Sequence, residues 1–139
     1  MRYFIAVLAL AGVLVSSLAL RVHYNTGVEP CSINEKWDCG IVNHSPFSEF
    51  EHIPVAAIGI AGYLALAVLS LIRQRIPLVA AAIIGLGFAI HLSFIERDVL
   101  EVWCLYCVIS QGIIALITLL SIAWLVVVEL GKRRALKTP

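Results

Sequence analysis

The chain reads as an all-α integral membrane protein, a four-helix bundle with a long extracytoplasmic loop between its first and second helices. Three observations predict this. Hydrophobic residues fill 61% of the 139 positions and charged residues only 14%, against about 45–50% and about 25% in soluble domains. Four apolar runs each have roughly the 17–25 residues that cross a hydrocarbon core as a helix. None of the runs alternates with the period of two that a barrel strand needs, and a backbone in lipid must satisfy its own hydrogen bonds, which selects helices. A chain of this length amounts to one domain, so residues 1–139 are read as a single membrane unit. Ten basic residues against nine acidic ones leave a formal charge of +1, with no basic stripe to hold nucleic acid.

The first run, residues 4–20, follows Arg2 and carries the small residues Ser17-Leu18-Ala19 near its end. It exceeds the roughly 7–15 residues of a signal-peptide core, so it is read as a retained span. Residues 21–53 then form the only long connection, longer than packed helices need, and function is expected there. Within it, residues 48–52 are predicted as a short surface helix. Pro54 opens the second span, 54–72, at a position where its missing N–H costs nothing. Arg73-Gln74-Arg75-Ile76 makes a tight hairpin into the third span, 77–95, and the fourth run covers 105–128 before a basic tail. Gly59-x-x-Gly62 and the small residues between Ala80 and Gly87 read as packing faces that let helices approach.

Charge sets the orientation. Arg2, Arg73, Arg75, Lys132, Arg133, Arg134 and Lys137 fall on one side of the bundle and only Arg21, Lys36 and Arg97 on the other. The positive-inside rule then places both termini in the cytoplasm and the long loop outside a cytoplasmic (inner) membrane. The basic run at the C-terminus acts as an anchor against anionic lipid.

All four cysteines belong to the outer side, where disulfides persist, and their even number points to two thiol pairs. Cys104-Leu105-Tyr106-Cys107 is a C-x-x-C at the start of a predicted helix, where free amides and the positive end of the helix dipole favour a thiolate. The second sulfur lies about one turn deeper in the span, toward lipid-soluble substrates. Cys31 and Cys39 lie eight residues apart on the polar loop, suited to meeting Cys104 on one side and a soluble protein on the other, since exchange needs close sulfur approach. A structural zinc site is disfavoured because the Cys31–Cys39 spacing is not a short C-x2-4-C. Val108 after Cys107 removes c-type haem attachment. Two structural disulfides in a non-catalytic membrane interaction protein remain the alternative from a different class.

Taken in order, Cys31-x7-Cys39, Ser45, His52-Ile53-Pro54, Gly59-x-x-x-Tyr63 and Trp103-Cys104-Leu105-Tyr106-Cys107 make the chain resemble the vitamin K epoxide reductase family in its compact four-span form. The resemblance implies a quinone-linked thiol oxidoreductase. Cys104 and Cys107 would be the active pair, with Cys107 beside the quinone and Cys104 exchanging with Cys39, while Cys31 would meet a soluble thioredoxin-like carrier. Ser45 would border the quinone pocket. Vertebrate members carry an Asn near the start of the second span and a Tyr four residues past the second active Cys; Val55 and Gln111 stand there, which favours a bacterial-type or archaeal-type disulfide-forming enzyme over vitamin K epoxide recycling, the other reading of the same chemistry. The DsbB family performs a similar oxidation but places its C-x-x-C before its wide pair, the reverse of the order here.

A quinone pocket is expected between the spans near the outer boundary, apolar with few polar anchors, and Ile58, Tyr63, Phe88, His91 and Gln111 are its candidates alongside Ser45. His91 is the intramembrane histidine, read as a pocket hydrogen-bond donor or as a polar group satisfied by a neighbouring helix. His23, His44 and His52 have no metal-ligand spacing and read as surface or interface residues. Trp37, Phe50, Trp103 and Tyr106 belong to an aromatic belt at the outer interface. Asn43-His44-Ser45 has the form of a glycosylation sequon, but Pro46 follows it directly.

Overall fold

In a computed structural model of the chain, residues 1–24 and 34–138 are described, the side chain of Phe47 excepted. Four long helices form the bundle: α1 (Arg2–Tyr24), α3 (Val55–Leu71), α4 (Arg75–Ile95) and α5 (Leu105–Lys137). A five-residue helix, α2 (Cys39–Asn43), lies between the first two. The chain is an all-α membrane helical bundle. α1, α5 and the stretch Arg75–Leu100 are each long and apolar enough to cross a membrane, and α3 is a shorter apolar helix of 17 residues.

The outside of the bundle is as apolar as its inside. Leu10, Leu14, Val68, Ile84, Leu119 and Val127 are all exposed, as expected where lipid replaces water and helices associate through packing rather than by hiding oily surface. Inside, Ile5, Ala9, Tyr63, Leu66, Leu78, Ala82, Ile114 and Ile117 form one buried cluster. The tightest pairings are α1 with α3 and α4 with α5. Small residues permit them. A Cβ on Gly12 would run into the Tyr63 ring, one on Gly59 would stand 3.0 Å from Ser16 Oγ, and one on Gly85 3.3 Å from Ile114. Gly62 and Gly87 meet nothing within 4 Å, so only the first glycine of each predicted packing face makes a close approach. Buried hydroxyls turn back on their own helices: Ser70 donates to the Ala67 carbonyl at 2.8 Å and Thr118 to that of Ile114 at 2.7 Å, which removes the cost of a bare O–H in an apolar layer.

Three segments differ from the sequence expectations. Residues 48–52 are not a helix: a 3-10 turn (Pro46–Ser48) leads into an antiparallel pair, β1 (Glu49–Phe50) with β2 (Ile53–Pro54). The turn between the strands puts Glu51 and His52 in the left-handed region, at φ of 50° and 68°, a conformation that ends any helix there. The basic tail is not a loop, because α5 continues without a break to Lys137; at 1.5 Å per residue it outruns the roughly 30 Å hydrocarbon layer by several turns. The third span does not stop at Ile95 but unwinds into a π-helical turn, Glu96–Leu100. The tight hairpin between α3 and α4 is present, with Arg73 at φ 61° and the Arg75 guanidinium 5.6 Å from the centre of the Trp124 ring. That basic corner and Cys39, Cys104 and Cys107 occupy opposite ends of the bundle.

Candidate functional site

At the end away from Arg75, the segment before α5 and the stretch leading into α2 are stitched together through backbone. Trp103 N–H donates to the Lys36 carbonyl at 2.7 Å, and Asp38 N–H donates to the Trp103 carbonyl at 3.0 Å, forming a parallel bridge between Trp37 and Trp103. The two indoles flank it with centroids 6.4 Å apart. This register carries Cys39 alongside Cys104. Asp38 then caps α2, its Oδ1 accepting from Gly40 N at 2.8 Å and Ile41 N at 3.3 Å, as an N-cap carboxylate should.

Cys39 and Cys104 are fully buried in one apolar cluster with Val22, Val42 and Val102. Asn43 spans the two, its Nδ2 donating to the Cys39 carbonyl at 2.9 Å and to Cys104 Sγ at 3.5 Å. Cys39 is disulfide-bonded, while Cys104 and Cys107 are free thiols. Cys31, expected to meet the outside partner, lies outside the described residues.

Cys104 is the N-cap residue of α5, and Cys107 sits in its first turn. The hydrogen bond from the Cys107 thiol holds the Cys104 thiol below its usual range, against the opposing effects of burial and of the Glu96 charge. The thiolate is the attacking species. A lowered pKa therefore keeps Cys104 reactive at pH values where an ordinary cysteine, near 8.5, is protonated. Alkylation of reduced protein with iodoacetamide, followed against pH, should show Cys104 half-maximally reactive below that value. Cys107→Ala removes the main cause, so the midpoint should move up. An unchanged midpoint would assign the effect to the helix end instead.

Beside the pair lies a cavity of about 560 Å³ enclosed by α1, α3, α4, α5 and the loop, within the range of small-molecule sites. Its walls are mostly apolar. Ile58, Tyr63, Phe88 and Ser45 line it, together with Asn43, Ser48, Glu96 and Cys107. The Tyr63 hydroxyl donates to the Ser110 carbonyl at 2.7 Å, which ties α3 to α5 across the space. Ser45 Oγ donates to the Val42 carbonyl at 2.8 Å.

His91 and Gln111 are not among the cavity residues. His91 is exposed on the flank of α4, about 100° around from the face that carries Ala81, Gly85, Phe88 and Leu92. Gln111 Oε1 is occupied by the Ser93 hydroxyl, so it links α4 to α5 instead of facing the space.

Two residues at the site carry roles that the sequence alone did not reveal. His23 latches the cavity roof to the end of α1: its Nδ1 bonds the Asn43 carbonyl at 2.5 Å, and its Nε2 lies 3.2 Å from Glu49 Oε1. Glu96, which in sequence is one more acid of the outer side, is only 3% exposed. Its Oε2 accepts from the Cys104 N–H at 3.2 Å, and its carboxylate also takes a hydrogen bond from the Cys107 thiol. The π-helical turn produces this arrangement, because a wider turn swings residue 96 toward the start of α5 while its carbonyl accepts from Val102 N at 3.2 Å.

The assembly is a free dithiol at a helix start, a disulfide-bonded loop cysteine in the same buried cluster, and an apolar cavity reached by the deeper thiol. It is suited to moving an electron pair from protein thiols into a flat apolar acceptor. Compared with known families, residues 3–131 match the model of the vitamin K epoxide reductase family.

Proposed function

The chain belongs to the vitamin K epoxide reductase family, a membrane oxidoreductase family acting on thiols and quinones, and from that premise we propose that it oxidises the thiols of a soluble carrier protein and delivers the electrons to a membrane quinone. The observation that carries the reading is the shared burial of Cys39 with Cys104 beside a cavity that Cys107 lines.

A reduced carrier of thioredoxin-like fold attacks the loop disulfide at Cys31, leaving Cys31 and Cys39 as thiols. Cys39 then attacks Cys104 in the Cys104–Cys107 disulfide, Cys107 leaves as a thiolate, and Cys31 resolves the mixed disulfide. The pair is returned to the disulfide by quinone, which accepts two electrons and two protons. The cavity suits such a substrate: apolar walls fit the ring and tail, and few polar groups interrupt them, Ser45 and Ser48 among them. Potentials steer the flow, since about 30 mV in a two-electron couple is worth about 1.4 kcal/mol. The excess of Lys and Arg at the Arg75 end orients this site to the extracytoplasmic face of a cytoplasmic membrane, where exported proteins acquire disulfides.

A double variant, Cys31→Ala with Cys107→Ala, tests the relay between pairs. Mild oxidation of this chain in detergent should give an intramolecular Cys39–Cys104 disulfide, read as one cross-linked peptide by mass spectrometry. Two thiols that stay free, or that link only between chains, would break the proposed path.

A further inference from the structure

The disulfide relay leaves one buried group without a role. Glu96 is 3% exposed, and among the described residues no Lys, Arg or His pairs with it. A carboxylate so placed is strongly disfavoured unless something compensates, and among the described residues the compensation is two hydrogen bonds, from the Cys104 N–H and the Cys107 thiol. It also forms part of the cavity wall. Arg97 and Asp98, on the same turn, are exposed and lie against each other at 3.9 Å, so the titratable groups that bear directly on Glu96 are the two cysteines of the active pair.

We propose that Glu96 is a catalytic proton-transfer residue, whose buried carboxylate takes the proton of the Cys107 thiol and delivers it into the cavity to a quinone oxygen. The inference rests on the quinone-linked reading above. Oxidation of the Cys104–Cys107 dithiol forms one S–S bond and gives the acceptor two electrons, and the acceptor takes up two protons to become the quinol. Cys104 is the sulfur disposed to be a thiolate, its proton already released to water, so one of the acceptor's protons is drawn from solvent and the other from the Cys107 thiol. Cys107 still holds its proton on the cavity side, and that proton must depart before its sulfur can release an electron pair. Glu96 touches that S–H and the cavity at once. Being a base, it works only when ionised, so its contribution fades as pH falls through its pKa.

The test uses the full chain in detergent, comparing wild type with Glu96→Gln and Glu96→Asp. In quinone-free, pre-reduced protein, iodoacetamide labelling localised by tandem mass spectrometry should show Cys107 at least as reactive in Glu96→Gln as in wild type at neutral pH, since removing a neighbouring negative charge favours the thiolate. Cys104, which the Glu96 charge also opposes, should label no more slowly, and Glu96→Asp should stay close to wild type in labelling and recover most of the quinone rate. Quinone reduction driven by a small dithiol should fall about 100-fold in Glu96→Gln, the size of a lost general base, and lose the acid limb of its pH profile. An unchanged quinone rate and pH profile in Glu96→Gln would overturn the proposal. So would equal slowing of both cysteines with a lowered melting temperature that Glu96→Asp does not restore, since that marks a structural role. A wild-type chain that reduces no quinone while Cys107 labelling still responds to Glu96→Gln would overturn the quinone reading and the delivery step, and leave only the contact between Glu96 and Cys107 standing.

Discussion

Replacing Cys107 with alanine should lower dithiol-driven quinone reduction by at least about 10³-fold, because the proposed role of nucleophile falls to the thiol that lines the cavity and alanine cannot perform it. The fold should survive, since a half-buried thiol at the first turn of α5 contributes little packing that alanine does not. Cys104 keeps its place in the buried cluster with Cys39, so its thiol can still attack the loop disulfide at Cys39 and expel Cys31, and without Cys107 to resolve it the Cys39–Cys104 mixed disulfide should accumulate. Stopped-flow absorbance of the quinone measures the first effect, and non-reducing peptide mapping the second. Retention of the native quinone rate would remove Cys107 from its assigned role.

The second large effect concerns packing. Gly12→Val places a branched side chain where the Tyr63 ring already lies, and overpacking of this kind costs typically 1–3 kcal/mol. Tyr63 is 5% exposed and has nowhere to retreat except into the cavity, which would break its hydroxyl's bonds to Ser110 at 2.7 and 2.8 Å. The expected result is a lower midpoint of thermal unfolding in detergent together with a raised quinone KM. Adding Tyr63→Ala to Gly12→Val should restore part of the stability, because contacting residues couple in a double-mutant cycle. Purely additive losses would mean that the two residues do not meet.

Much of this arrangement is legible from sequence because it follows from gross composition. Apolar run length fixes the four helices, and the placement of Cys104 at the head of α5 follows from where the last run begins. What escapes is local geometry that depends on the tertiary setting. The hairpin at 49–54 needs Glu51 and His52 at positive φ, and neither is the glycine or asparagine that announces such a turn. Burial of Glu96 needs a π-helical turn, for which the local sequence carries no signal; its spacing of eight residues before Cys104 becomes meaningful only once the chain between them folds back. His91 and Phe88 are separated by less than a helical turn, yet only Phe88 reaches the cavity. Periodicity alone does not fix the helix rotation that decides between them.

Anaerobic titration of fully reduced protein with a soluble quinone, counting free thiols at each cysteine by mass spectrometry as the quinone absorbance changes, tests the central claim most directly. The expected result is one quinone reduced for every two thiols lost, with Cys104 and Cys107 oxidised first and Cys39 following only when Cys104 is present. Quinone that stays oxidised while the thiols remain free, or thiol loss that begins at Cys39 and bypasses Cys107, would contradict it.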